Sequence, residues 1–520
     1  MAFTMAGALR DWTAQTPDQV MFTHQGTQTT WAEFDRRSSQ VAQALVAEGV
    51  KPEDRVAFLD KNGLEYFEVA FGGAKINSVL VAVNWRLAAP EMAYIINDAE
   101  AKVLVVGSEF SDHLGQFEDQ LTTVKKIVVA GTPHVEHQGY ADWLAGRGHD
   151  DPDVESAPGD VAMQLYTSGT TGMPKGVMLT NANLGAILPQ LSAEIGLGDE
   201  SVSMVAMPLF HIGGSGWALA GIGRGARTVI IRDIDPPAVL GAIQSEAVTH
   251  AFLVPAAIMV LLAAPQCAGT DFSRFRCMTY GAAPISEKVL QQALSAFGCQ
   301  FVQFYGLTET TGAITVLRPD EHDPGGSHPE RLRSCGVPFP DVAIRIVDPS
   351  TGADQPVGEV GELWTRSAQN MKGYWGDPNA TASTVTGDGW LKTGDAGYLD
   401  ADGFVYLHDR VKDMIVSGGE NVYPAEVENA LMDHPGVADV AVIGVPSEKW
   451  GETVKAVVVR AAGSHVPGQE LIEFARTRIA AYKCPTSVDF AEALPRNPSG
   501  KLLKRELREP YWRGIERRIH

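Results

Sequence analysis

Basic residues are scarce in this chain of 520 residues: 42 Lys and Arg stand against 63 Asp and Glu, a formal net charge of −21. Nucleic-acid backbones need a basic footprint for counterion release, so nucleic acid is excluded as a partner and general adhesion to anionic lipid is disfavoured. Long apolar runs are missing too; no 18-residue apolar stretch occurs, and none of the chain reads as a membrane-spanning helix. The cysteines are few and scattered (Cys267, Cys277, Cys299, Cys335, Cys484) with no C-x-x-C spacing, which fits neither a disulfide framework nor a zinc site. Reduced, mostly buried thiols in a cytoplasmic protein are expected. The segment MAFTMAGALRDWTAQ lacks a basic start followed by an apolar run, so no secretory signal is expected. No G-x-G-x-x-G follows the first strand, which argues against a dinucleotide-binding enzyme.

What is present is ample for a large globular protein. The chain exceeds a single-domain length several-fold, so more than one domain is expected. Glycine is rich, at 53 residues, and much of it sits at strand-to-helix turns, pointing to an α/β protein. Short β-branched runs alternate with helical patterns over the first 310 residues or so, among them Val79–Val83, Val103–Val106, Lys126–Ala130, Val161–Thr167, Val202–Met207, Thr228–Ile231, His250–Val254, Cys277–Gly281 and Phe301–Tyr305. Near-continuous apolar strands are those of parallel sheets buried on both faces, with ligands at strand C-termini. Polar or small-residue loops after Thr167, Met207 and Tyr305 are therefore expected to converge on one crevice. From Val342 the strands shorten and alternate, and after Arg410 a compact α+β unit begins. The expected layout is a large domain over 1–409, a hinge at 410–412 and a small domain over 413–520.

The densest chemical signal is Tyr166-Thr167-Ser168-Gly169-Thr170-Thr171-Gly172-Met173-Pro174-Lys175-Gly176. Glycines let backbone amides approach an anion, hydroxyls donate hydrogen bonds, and Lys175 brings a mobile positive charge; polyphosphate is the natural ligand. An ordinary Ser/Thr/Gly surface loop is the plain alternative. A Walker A loop is disfavoured, because no Gly-Lys-Ser/Thr occurs in it.

This segment resembles the phosphate loop of the adenylate-forming superfamily: acyl-CoA synthetases, luciferases and adenylation domains of peptide synthetases. The resemblance spans essentially the whole chain, since further motifs recur in the family's order: Gly281-Ala282-Ala283-Pro284, Tyr305-Gly306-Leu307-Thr308-Glu309-Thr310, Gly361-Glu362-Leu363, Thr393-Gly394-Asp395, Asp409-Arg410-Val411-Lys412-Asp413, Gly418-Gly419-Glu420-Asn421 and Pro495-Arg496-Asn497-Pro498-Ser499-Gly500-Lys501. It implies an α/β fold, with a large N-terminal domain of doubly wound sheets plus a small β subdomain, and a mobile C-terminal α+β domain. It also implies ATP and CoA as substrates, Mg²⁺ as cofactor and a carboxylic acid activated as its acyl-adenylate.

By the same resemblance, Thr308 would contact the α-phosphate and Glu309 would hold Mg²⁺. Tyr305 would stack on adenine against the thin wall Gly281-Ala282-Ala283. Asp395 would accept from the ribose hydroxyls, with Arg410 beside it, although Thr-Gly-Asp also suits a turn. Lys501 would bridge the acid carboxylate and the α-phosphate. The small domain would rotate about Lys412 between half-reactions, and Gly418 and Gly419 would let the pantetheine arm pass; a glycine turn at a helix start competes for that pair.

The loop Met207-Pro208-Leu209-Phe210-His211-Ile212-Gly213-Gly214-Ser215-Gly216-Trp217 resembles the acyl-pocket segment, with His211 at the gate between acyl and thiol channels. A structural histidine is the alternative there. No acidic residue lies between Met207 and Trp217 to pair a substrate ammonium, and burying that charge unpaired is costly, so an amino acid is disfavoured. Small residues at Gly213, Gly214, Ser215 and Gly306 are expected to leave room for a medium- or long-chain fatty acid, with an aryl or steroid-side-chain acid as the alternative. The chain ends soon after Lys501, so no fused carrier domain is expected and free CoA is the expected acceptor. Arg331-Leu332-Arg333 would support at most peripheral membrane contact, and homodimerisation, usual in the family, has no readable signature. A luciferase-like oxygenase shares these motifs and would be told apart by light emission or oxygen uptake. A non-catalytic homologue would be expected to lack Lys501 or Glu309.

Overall fold

The structure is a computed structural model and describes residues 3–513 except 133, 168–172, 284, 350, 411–412, 418–419, 448 and 497–501; at 408–410, 416, 420 and 421 the backbone alone is described. The chain folds as two compact units. One comprises the residues up to Ala343 together with Arg366–Leu391, the other Ile344–Thr365 and the chain from Lys392 onward.

In the first unit, described residues form an eight-stranded and a nine-stranded sheet. The eight-stranded sheet runs in the order Gly373–Tyr374, Lys175–Thr180, Val161–Thr167, Val79–Ala82, Arg55–Leu59, Val103–Gly107, Lys126–Ala130, Gln138–Gly139. Its centre is parallel, and only the pairs around Lys175–Thr180 are antiparallel. Every residue of Arg55–Leu59, Val79–Ala82 and Val103–Gly107 is buried, the signature of a parallel sheet covered on both faces. Strands at Lys126–Ala130, Val161–Thr167 and Cys277–Gly281 have the bounds the sequence predicts. Arg55–Leu59, a central strand, is not among the strands expected from the sequence, although Val56-Ala57-Phe58-Leu59 is a continuous apolar run. The nine-stranded sheet carries the parallel set Val202–Val205, His250–Leu253, Cys277–Gly281 and Gln300–Leu307, then turns antiparallel at Gly312–Leu317.

The second unit holds a four-stranded sheet (Ala343–Val347, Gly361–Arg366, Leu391–Leu399, Val405–Arg410) and a five-stranded sheet led by the long antiparallel pair Val437–Ser447 and Gly451–Arg460. Alternation along the first of these serves two covers. Val440 and Val442 join the core containing Leu431 and Leu471, while Ala441 and Ile443 pack towards Leu507 and Tyr511 of the last helix. The division differs from a single cut at residue 409. Gly373–Tyr374 pairs with Lys175–Thr180 at the edge of the eight-stranded sheet, and this draws 366–391 into the first unit.

Candidate active site

Thr167 and Lys175 face each other at the open end of an antiparallel strand pair, so the two stems of the expected phosphate loop are fixed by sheet register. Ser168, Gly169, Thr170, Thr171 and Gly172 lie outside the described residues. The stems rest on a polar network that sequence reasoning missed. The Tyr166 hydroxyl donates to Asp98 Oδ2 (2.6 Å), Gln164 Nε2 donates to Tyr166 Oη (3.0 Å), and Arg55 Nε donates to Gln164 Oε1 (3.2 Å). The Arg55 guanidinium lies 3.5 Å from the Trp375 ring centroid, and Trp375 Nε1 donates to the Asp98 carbonyl (2.9 Å). Burial and the Asp98 carboxylate push the Tyr166 phenol well above its ordinary pKa, so it stays a donor. Gly176 leaves this network room: a Cβ there would stand 2.5 Å from Gln164 Nε2.

The strand Gln300–Leu307 hands over directly to a single 3₁₀ turn, Thr308–Thr310, that presents Glu309. Glu309 Oε1 accepts from the Tyr374 hydroxyl at 2.9 Å and from Thr167 Oγ1 at 3.5 Å. Lys175 Nζ lies 5.2 Å from the Tyr374 ring centroid, so the loop stem, the acid and the aromatic form one cluster. The Glu309 backbone is pinned by Met371 N–H, which donates to its carbonyl (2.8 Å). Gln369, fully buried, donates from Nε2 to the carbonyls of Thr310 and Ala313 (2.7 Å each). Neither Gln369 nor Tyr374 has a local sequence signal; tertiary pairing alone brings 366–391 to the turn. On the neighbouring strand, Gly281 pairs with Phe304, and a Cβ on Gly281 would stand 2.2 Å from the Phe304 carbonyl oxygen. Ala282 follows in a left-handed conformation (φ +64°), and Ala282 and Ala283 are exposed while Tyr305 is half-buried. The thin wall and Tyr305 thus occupy the C-terminal ends of adjacent strands.

The 207–217 segment, expected to form the acyl pocket, connects Val202–Val205 to the helix Ile212–Ile222. At two of its glycines, and at Gly306 of Gln300–Leu307, neighbouring protein atoms stand where a side chain would begin. A Cβ on Gly214 would stand 2.2 Å from the Pro208 carbonyl oxygen, one on Gly213 3.0 Å from the Phe252 ring, and one on Gly306 1.8 Å from the Gly312 carbonyl oxygen. Ser215 is buried, with its hydroxyl on the His211 carbonyl (3.1 Å). Trp217 is buried, donating from Nε1 to the Met204 carbonyl (3.0 Å). His211 occupies the N-cap of the helix with its ring 4.5 Å from Phe210. Its Nε2 is buried and finds no hydrogen-bond partner among the described residues. Burial, and secondarily the Arg86 guanidinium, push its pKa down to about 4, so the ring is neutral near pH 7.

In the second unit, Asp395 is a strand residue rather than a turn residue. It lies in Leu391–Leu399, is 8% exposed, and pairs in register with Arg410 of Val405–Arg410. Thr393 Oγ1 accepts from Asp395 N (3.1 Å) and donates to the Leu363 carbonyl (2.7 Å), and Glu362 Oε1 accepts from Gly394 N (3.1 Å). The Gly361-Glu362-Leu363 and Thr393-Gly394-Asp395 motifs are therefore one structural unit. Lys412, Gly418, Gly419 and Lys501 lie outside the described residues.

Comparison with known proteins decides what this arrangement belongs to. Residues 9–375 match the AMP-binding enzyme family and residues 426–501 match the AMP-binding enzyme C-terminal domain. The chain belongs to the AMP-binding enzymes. Within them it falls in the acyl-CoA synthetase branch of the adenylate-forming superfamily, and it is an AMP-forming acid–thiol ligase. It is 40% identical over 506 residues to the fatty acid–[acyl-carrier-protein] ligase ScoC of Streptomyces coeruleorubidus, covering 95% of this chain and 94% of that one. It is 39% identical over 497 residues to a feruloyl-CoA synthase of an Amycolatopsis species, covering 95% and 96%. Among solved structures, ATP-bound MatB from Rhodopseudomonas palustris superposes with a TM-score of 0.87 at 30% identity, covering 97% and 99%.

For an AMP-binding enzyme the cluster around Glu309 has fitting chemistry. One carboxylate beside a hydroxyl is a hard oxygen donor set, and among the described residues no group of three or more His, Cys, Asp or Glu could hold a metal alone. Such a set suits Mg²⁺, which relies on substrate phosphates for much of its coordination. No helix of the described residues is long and apolar enough to cross a membrane.

Proposed function

We propose that this enzyme converts a medium- or long-chain fatty acid, ATP and CoA into acyl-AMP and pyrophosphate, and then into acyl-CoA and AMP. The observation that carries the first half-reaction is the cluster in which Thr167, Glu309, Tyr374 and Lys175 meet at the end of the loop stems. In this reading the acid's carboxylate oxygen bonds to the α-phosphorus while the bond to the departing pyrophosphate breaks. Thr308 contacts the α-phosphate, the 167–172 loop with Lys175 holds the β- and γ-phosphates, and Lys501 bridges acid and α-phosphate. Catalysis is positioning plus charge neutralisation. Glu309 and Thr167 would hold Mg²⁺, which neutralises phosphate charge when bound. Tyr305 and Gly281-Ala282-Ala283 sandwich adenine, and Asp395 with Arg410 holds the ribose. The small domain over 413–520, which carries Lys501, then turns about 410–412, Gly418 and Gly419 admit the pantetheine arm past His211, and the thiol sulfur displaces AMP from the acyl carbon.

The acid is argued from what lines the 207–217 segment: no carboxylate occurs in it, and its one ionisable side chain is neutral. An apolar acid is therefore favoured over an amino acid. An aryl acid is the second reading, favoured by the aromatic surroundings, where Trp85 meets Phe210 edge-on (6.3 Å) and Arg86 stacks on Trp85 (4.6 Å). The relatives' names divide the same way, one a fatty-acid ligase and one a feruloyl-CoA synthase.

Pyrophosphate release by the purified chain with Mg-ATP, over acids from acetate to oleate plus ferulate, benzoate and a bile acid, each with CoA, with an acyl carrier protein and with neither, tests both readings. CoA-stimulated release with octanoate to oleate is expected. Release confined to ferulate and benzoate selects the aryl reading, and release stimulated only by an acyl carrier protein removes CoA as the acceptor.

A further inference from the structure

The acyl-pocket segment hangs from the other sheet. Asn62 follows the central strand Arg55–Leu59 of the eight-stranded sheet, yet its side chain is spent on the loop that leaves the nine-stranded sheet. Its Nδ2 donates to the carbonyls of Met207 (3.0 Å), Ile231 (3.2 Å) and Ala206 (3.4 Å), and its Oδ1 accepts from Leu209 N (3.1 Å). Asn62 is 4% exposed, so these bonds are made without water competing for them. One turn along the following helix, the buried Tyr66 hydroxyl donates to the Leu209 carbonyl (3.2 Å). Leu209 thus has both its backbone groups held from the first sheet, immediately before Phe210 and His211.

Ion pairs close the same junction from outside, one of them Arg232 Nη2 with Glu109 Oε1 at 2.9 Å. Arg232 Nη2 meets Asp60 Oδ1 at 2.8 Å and Lys61 Nζ meets Asp233 Oδ1 at 2.9 Å. The tripeptides 60–62 and 231–233 are therefore laced together residue against residue, and only Asn62 of the first reaches the acyl segment. The division of labour follows from geometry: the charged pairs join the sheets, whereas the amide sets the path of 206–209.

We infer that Asn62, assisted by Tyr66, is a positioning residue for the acyl substrate, fixing where Phe210 and His211 stand and so which acids fit. This rests on the proposed reading of 207–217 as acyl pocket. ATP contacts are made elsewhere in that reading, so a change at Asn62 acts on acid selection and leaves ATP binding in place.

The test compares wild type, Asn62→Ala, Tyr66→Phe and Arg232→Met in CoA-dependent pyrophosphate release over the acid panel, with thermal melts of each. Wild type must first discriminate among acids; if it releases pyrophosphate with none, the acyl-CoA ligase reading fails and not this inference. Given discrimination, Asn62→Ala is expected to raise KM for the preferred acid tenfold or more and flatten the ranking of acids, with KM for ATP within twofold of wild type. Tyr66→Phe, which keeps the ring and removes the hydroxyl that meets the Leu209 carbonyl and Ser215, shifts the acid KM in the same direction by less. Arg232→Met lowers the melting temperature and keeps the ranking. An unchanged ranking in Asn62→Ala, or KM values for acid and ATP that move together, overturns the inference. Should Asn62→Ala not fold, an unchanged acid ranking in Tyr66→Phe overturns it, and a selective shift there supports it.

Discussion

Replacing Tyr374 with Phe removes a single hydroxyl from the cluster around Glu309. That hydroxyl donates to Glu309 Oε1 at 2.9 Å, whereas the ring, which faces Lys175 at 5.2 Å, is retained. A hydrogen bond to a charged group contributes about 1.5–3 kcal/mol, and a factor of ten corresponds to about 1.4 kcal/mol. The backbone of Glu309 stays fastened through Met371 N–H and the turn through Gln369, so the carboxylate remains in place but loses its orientation. A fall of about ten- to a hundredfold in kcat/KM for acid-dependent ATP–pyrophosphate exchange is expected on that scale. Because the lost bond orients a metal-holding group in the proposed mechanism, the Mg²⁺ concentration for half-maximal exchange should rise, and saturating Mg²⁺ should restore part of the rate. The assay is exchange over a Mg²⁺ titration at fixed ATP, with a melting curve as a control for folding. Exchange and Mg²⁺ dependence both within twofold of wild type would refute the role given to Tyr374 and weaken that of Glu309.

Lys501→Ala should abolish acyl-AMP formation, by about 10²–10³-fold or more, while sparing thioester formation from supplied acyl-AMP; equal losses in both half-reactions would remove its assigned role. Lys412→Pro should leave acyl-AMP formation largely intact and slow the thioester step, and equal second-step rates in mutant and parent would argue against a pivot there. Tyr166→Phe leaves Asp98 without its 2.6 Å donor and should lower stability by about 1–3 kcal/mol, read as a lower urea midpoint with raised KM for ATP. His211 and His322 both have pKa values pushed down to about 4 by burial, so the unfolded chain binds more protons between pH 4 and the ordinary histidine value of 6.5. Stability should therefore fall as pH drops from about 6.5 towards 4, and His322→Gln should flatten that slope by about one proton; a slope unchanged by the substitution would contradict its burial as a neutral ring.

The sequence by itself determined the family and the order of its motifs, because phosphate binding needs a dense run of glycine, hydroxyl and lysine, and such runs are local. It also disclosed those strands whose apolar residues are continuous, Val79–Ala82 and Val103–Gly107 among them, since burial on both faces writes itself into composition. Tertiary structure decided what surrounds the motifs. Tyr374, Gln369, Asp98 and Asn62 sit in segments with ordinary local patterns, and the contacts described above reach across at least 56 residues of chain. Gly213, Gly214 and Gly306 show the same limit from the other side: smallness is visible in a sequence, but whether it makes room for ligand or for a neighbouring carbonyl or ring depends on which atoms lie opposite. The physical reason is that hydrogen bonds and close packing depend on distance in space, while residue type and spacing report only what is adjacent along the chain.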